Sequence, residues 1–257
     1  MKIENYKKMI EKKDVFDNRK MRLSLVDASA ISNSCSAINK DCLILLNKTN
    51  SIKVEDAIKN DLAYVNYIKM VYESIKANNG GVFPECDRAS IVALVKIIDY
   101  ENSTDVWIHC NDSFFKMVDF IIDPKCEFWD RLKKGDPELV DDLTNFSEGK
   151  VWRRPRGKEE KEEKKAKFPS LASKICKYLA QYVLGKDYYY INDKFIRKVL
   201  PYYYHYYLGK KIAISQDNYA DLFSKMEKLH AEISKTDTLT KNELDHIMWY
   251  CYKSSGE

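Results

Sequence analysis

The sequence predicts an all-α, mostly helical protein, and two observations carry that expectation. Gly 8 and Pro 6 are low counts for 257 residues, so few positions suit the turns that punctuate a sheet-rich chain. Apolar residues also recur at three and four positions in segment after segment, the spacing of one helix face. The length suits one large domain or two small ones and is ample for a hydrophobic core.

From the N-terminus, Ile3, Tyr6, Met9 and Ile10 fall on one face of a short basic helix within residues 1–13. The irregular apolar residues after it, from Val15 to Val26, suit a docking arm or a small strand pair. Residues 31–50 are polar around an apolar knot at Cys42 to Leu46. Ser51 is the expected cap of a long helix through Val54, Ile58, Leu62, Val65, Ile68 and Tyr72. Asn78-Asn79-Gly80-Gly81 is the strongest turn signal, and a helix from Asp87 to Tyr100 follows, packed by Ile91, Leu94, Val95 and Ile98. Ser103-Thr104-Asp105 is expected to cap a brief segment through Trp107 and Ile108. Asp112-Ser113 opens Phe114 to Ile122, closed by Asp123-Pro124, and Asp136-Pro137-Glu138 starts a helix bearing Leu139, Val140 and Leu143.

Composition changes at Gly149. Residues 150–167 hold nine Lys/Arg against four Glu, so the chain's formal net charge of +4 is concentrated there. This segment reads as a charged linker or exposed loop between an N-terminal helical region, 1–149, and a second helical region, 168–257. Arg153, Arg154 and Arg156 are its candidate phosphate contacts.

Several function classes find no support. Seven scattered cysteines without a Cys-x-x-Cys pair or a signal peptide suit a reducing cytoplasm. Four dispersed histidines complete no metal set, so no structural metal is expected. No Gly-x-Gly-x-x-Gly, Walker-type phosphate loop, Gly-x-Ser-x-Gly or His-Glu-x-x-His occurs, and no cofactor is implied. No apolar run approaches the ~20 residues that cross a bilayer, so no membrane partner is expected.

The most informative stretch begins at Phe168. Leu171, Ile175, Leu179, Tyr182 and Val183 give a helix entered through Pro169, with Ser170 as its expected cap and Lys174 in its first turn. Gly185 ends it. Residues 186–191 are too short for a helix, and a second helix begins at Asn192-Asp193, with Asp193 a cap or first-turn residue above Phe195, Ile196, Val199 and Leu200. Ser215 is the expected cap of a helix bearing Tyr219, Leu222, Met226, Leu229 and Ile233. Thr240-Lys241-Asn242-Glu243 has the capping-box pattern for a last helix.

A helix with an early lysine, a short extended crossing and a helix headed by aspartate resembles the helix-hairpin-helix DNA glycosylases, notably the 8-oxoguanine branch. Against that family's Leu-Pro-Gly-Val-Gly-x-Lys hairpin this chain has Phe168-Pro169-Ser170-Leu171-Ala172-Ser173-Lys174, and Asp193 follows the lysine at a similar spacing. Both glycines are replaced, by Ser170 and Ala172. The resemblance covers residues 168–201. It implies a glycosylase-like helical fold with a divergent N-terminal half. It also implies double-stranded DNA as partner and removal of a damaged or modified purine through a Schiff base on Lys174, with Asp193 stabilising charge on the sugar. Ser170 and Ser173 would then lie at the DNA.

Such chemistry needs a neutral amine, whereas free lysine titrates near ~10.4, so burial must favour the uncharged form. The helix N-terminus contributes only ~0.3–1 kcal/mol. A base drawn out of the stack needs an aromatic pocket, for which Tyr189, Tyr190 and Tyr203 are the candidates in a run of eight tyrosines between Tyr188 and Tyr207. Tyrosines pack in cores more often than they line pockets, and lysines and capping aspartates are common in plain helical proteins. A catalytically inactive nucleic-acid-binding or protein-interaction module is the competing expectation.

Overall fold

A computed structural model describes residues 68–101, 104–153, 162–235, 240–242, 244–245 and 248. The expectations for residues 1–67, for Arg154 and Arg156, and for Glu243 of the capping box lie outside these. The described chain is mostly helical, with one two-stranded sheet. None of its helices is long and apolar enough to cross a membrane.

The chain forms two compact bodies, which do not follow the boundaries expected at 149 and 168. The first comprises Tyr64–Asn192 and Gln216–Ala220; the second comprises Met1–Ala63, Asp193–Ser215 and Asp221–Glu257.

In the first body, α1 (68–78) ends where Asn79 and Gly81 donate back to the Lys76 carbonyl. Both glycines of that turn have positive φ, which residues with a Cβ tolerate poorly. Helix α2 (Arg88–Glu101) starts behind Asp87, whose carboxylate accepts from the Ser90 amide at 2.9 Å. Ile91, Leu94, Val95 and Ile98 are its buried stripe. The short α3 (Val106–His109) departs from expectation. Asp105 precedes it in the left-handed region, φ 53°, and makes no capping bond. Its first amides are held by Asp99 of α2, which accepts from Val106 N at 3.0 Å and Trp107 N at 2.8 Å. Helix α4 (Asn111–Ile122) buries Phe114, Met117, Val118 and Ile121. After a 3-10 turn (Pro124–Cys126), α5 (Phe128–Lys134) ends at Gly135, φ 69°. Helix α6 (Glu138–Phe146) begins where Asp136 accepts from the Glu138 amide at 3.0 Å.

The segment expected to be a linker or loop holds a β-hairpin. Strand β1 (Gly149–Arg153) pairs antiparallel with β2 (Glu162–Ala166), Gly149 opposite Ala166 and Lys150 opposite Lys165. Gly149 allows a close approach: a Cβ there would lie 2.0 Å from Ser113 Oγ and 2.8 Å from Cys110 Sγ. Val151 points inward and is buried, so backbone pairing and two small contacts fix a strand that charge composition hides.

Helix α7 (Pro169–Val183) is the centre of this body and packs on α2, α5 and α6. Every residue from Leu171 to Ala180 is buried, as expected of a helix enclosed on all sides.

In the second body, α8 (Lys194–Leu208) buries Ile196, Val199, Leu200, Tyr203 and Tyr204 and ends at Gly209, φ 64°. Helix α9 (Tyr219–Ile233) starts with two residues of the first body and continues in the second, where Leu222, Met226, Leu229 and Ile233 are buried. Its cap is also non-local: Asp141 of α6 accepts from Tyr219 N at 2.7 Å and Ala220 N at 3.0 Å, both within the first body. Ser215, the expected cap, lies four residues before the helix and is exposed.

Candidate active site

Helix α7 brings Ser170, Ser173, Lys174 and Lys177 into its first three turns. Pro169 is the first helical residue and Phe168 the N-cap, so Ser170 stands inside the helix and does not cap it. Lys174 is therefore sixth in the helix, in the second turn, whereas the sequence suggests the first. The dipole effect fades beyond the first turn, so the helix N-terminus acts on this amine more weakly than the first-turn placement implies. Lys174 is 6% exposed and Lys177 2%. Lys177, absent from the sequence expectations, lies three residues after Lys174, which puts both on one helix face.

Ser173 is fully buried and its hydroxyl is committed inside the fold. It donates to the Ser170 carbonyl at 3.1 Å and accepts from the Asn192 amide at 2.9 Å. Ser170 itself is half-buried. The Asn192 side chain donates to the Gln216 carbonyl at 3.3 Å. Next to it, Tyr190 and Tyr219 exchange two bonds: Tyr190 N donates to the Tyr219 hydroxyl, which donates to Tyr190 O, both at 2.9 Å. The extended crossing is thus fixed to α7 at one point and to the start of α9 at another.

The base-pocket candidates of this body are core residues. Tyr189 and Tyr190 are both 0% exposed. The Tyr189 hydroxyl donates to the Asp136 carbonyl at 3.2 Å, and burial, with Cys176 nearby, pushes the phenol well above its ordinary range. Burial likewise pushes up the Cys176 thiol. Arg131 stands in the same neighbourhood, bonded to Asp136 and Asp142 at 2.7 Å each. Burial works against its charge, but these two carboxylates outweigh it and raise its pKa.

In the second body, Asp193 is the N-cap of α8, the role expected of it. Its Oδ1 accepts from Phe195 N and Ile196 N, both at 2.8 Å. Oδ2 makes no hydrogen bond among the described residues, and the side chain is 7% exposed. Tyr203 is fully buried in the same helix and stacks on Tyr207, centroids 6.5 Å apart. Arg153 ends β1 in the first body.

No protein-family model, curated protein or solved structure matches this chain.

Proposed function

We propose that this chain is a helix-hairpin-helix glycosylase-like enzyme that excises a damaged or modified purine from double-stranded DNA, with Lys174 as its nucleophile. One observation carries this: the buried bond between Ser173 Oγ and the Asn192 amide. Asn192, the last residue of the crossing, is thereby tied to α7 one residue before Lys174, so the helix-and-crossing half of the resemblance is held in place around the expected nucleophile. Lys174 is itself buried, 6% exposed.

In the proposed reaction the neutral Nζ attacks the sugar C1′ while the C1′–N9 bond breaks. The base leaves with that electron pair and is protonated. Of the amine's two protons one goes to the departing base and one to O4′ as the sugar ring opens, which gives the Schiff base; loss of the C2′ proton then expels the 3′-phosphate and cuts the strand. The carboxylate of Asp193 is assigned the stabilisation of positive charge on the sugar by the resemblance. Its Oδ1 is occupied by the α8 amides, so Oδ2 is the oxygen that would serve.

The same hydroxyl also lends support to a silent binding module: Ser173, expected at DNA, makes its bonds to the Ser170 carbonyl and the Asn192 amide inside the protein. Borohydride trapping on duplexes carrying 8-oxoguanine or an abasic site separates the two. Base excision requires a covalent adduct that disappears in Lys174→Gln and weakens in Asp193→Asn. An adduct that survives Lys174→Gln assigns the chemistry to another amine. Salt-sensitive binding with no adduct on either duplex leaves the silent module.

A further inference from the structure

The basic segment, expected to be a linker or exposed loop, folds into a hairpin, and lysines on and just after its second strand line a groove. Lys164, Lys165 and Lys167 line this groove of about 360 Å³ together with Glu148, Gln216 and Asp217, all in the first body. Its size falls within the ~300–1,000 Å³ of ligand clefts. We infer that this groove is where the phosphate backbone of duplex DNA docks, with Lys164, Lys165 and Lys167 gripping phosphates and Glu148 as the counter-ion they release.

Two features support that assignment. Lys150 and Lys165 stand directly opposite each other in the hairpin. Like charges in that position are unfavourable for the sheet, and here each lysine is offset by a carboxylate of its own. Their present partners are weakly held. Lys150 pairs with Glu163 at 2.9 Å and Lys165 with Glu148 at 3.0 Å, and the Lys165 side chain is 81% exposed. Such exposed pairs contribute little and are screened by salt, so phosphates can replace the carboxylates. Glu148 also lies in a local positive field. Its carboxyl is held below the usual range, first by the hydrogen bond and charge of Lys165 and then by Lys167 and Lys116. Asp217 is the opposing charge at the groove, one acid beside Glu148 against three lysines.

Naming DNA as the polyanion rests on the base-excision proposal, but docking is testable without it. Each phosphate neutralised on B-DNA contributes about −0.9 to the slope of log K against log salt. Three such contacts give about −2.7, or about 40-fold in affinity between 50 and 200 mM salt. The experiment is fluorescence anisotropy of a labelled undamaged duplex titrated with the full chain across that range. The expected result is that K164Q/K165Q/K167Q weakens binding at low salt and flattens the slope by about 2.7, and that K165Q alone flattens it by about 0.9. K165Q keeps the test available if the triple variant fails to fold. An unchanged slope in a folded variant overturns the assignment. So does wild-type binding to phosphatidylserine vesicles without binding to duplex, which would make the face a lipid surface. The two proposals fail separately. A flattened slope with no borohydride adduct on any damaged duplex refutes base excision and keeps the groove. An adduct at low salt with an unchanged slope refutes the groove alone.

Discussion

Replacing Ser173 with Ala tests the bond on which the candidate site depends. The hydroxyl makes two bonds, but their losses are unequal. The Ser170 carbonyl belongs to a helix and keeps its place in the α7 ladder, whereas the Asn192 amide loses its acceptor at a residue that is 0% exposed. A buried donor left without a partner costs about 1–3 kcal/mol, so a loss of about 2 kcal/mol is expected. With about 2–4 °C per kcal/mol in a chain of this size class, Tm falls by about 4–8 °C. Urea unfolding measures the total cost, and amide hydrogen exchange locates it, because protection at Asn192 should drop while protection in the middle of α7 is retained. A variant within 0.5 kcal/mol of wild type, with Asn192 still protected, would show that the hydroxyl does not anchor the crossing.

Two other predictions concern helix starts. Asp141→Ala removes the acceptor for two α9 amides, one of them on fully buried Tyr219. A loss of about 1–2 kcal/mol in urea unfolding is expected, more than for Ser215→Ala, and the reverse order would refute the non-local cap. Asp87 gives a pH-dependent case: the Ser90 hydroxyl and amide hold its carboxyl below the ordinary range. A lowered folded-state pKa stabilises the protein above the unfolded value of ~3.9, and the contribution is lost as pH falls through the folded value. The Tm gap between wild type and Asp87→Ala should therefore close below about pH 4, and an equal gap at pH 3 and pH 7 would contradict it.

What the sequence revealed and what it hid divide along a physical line. Helices were legible where their own residues specify them: the stripes of α2, α4 and α7, the turn at Gly80-Gly81 and the Asp193 cap are written within a few residues of where they act. Caps supplied by another helix were not. Asp99 reaches amides seven and eight residues on, across a change of direction, and Asp141 reaches amides 78 and 79 residues on, so neighbouring Asp105 and Ser215 looked like the better candidates. The hairpin was hidden because Glu162-Glu163-Lys164-Lys165-Ala166 has no apolar alternation for periodicity to detect. At the candidate site, burial sorted residues that spacing could not: Ser173, Tyr189 and Tyr190 belong to the interior, and Lys177 joins Lys174 there.

The discontinuity of the first body also constrains how the protein is made. Its chain departs after Asn192 and comes back at Gln216, with the two ends joined by the Asn192 side chain and the Gln216 carbonyl. The phenol that satisfies both backbone groups of Tyr190 belongs to Tyr219, on the returning piece. A nascent chain emerging from the ribosome therefore holds an unfinished interior while residues 193–215 are synthesised. The first body closes only after position 219 has cleared the exit, so a stall or cleavage within that interval leaves Tyr190 unsealed even though most of the body's residues are already present.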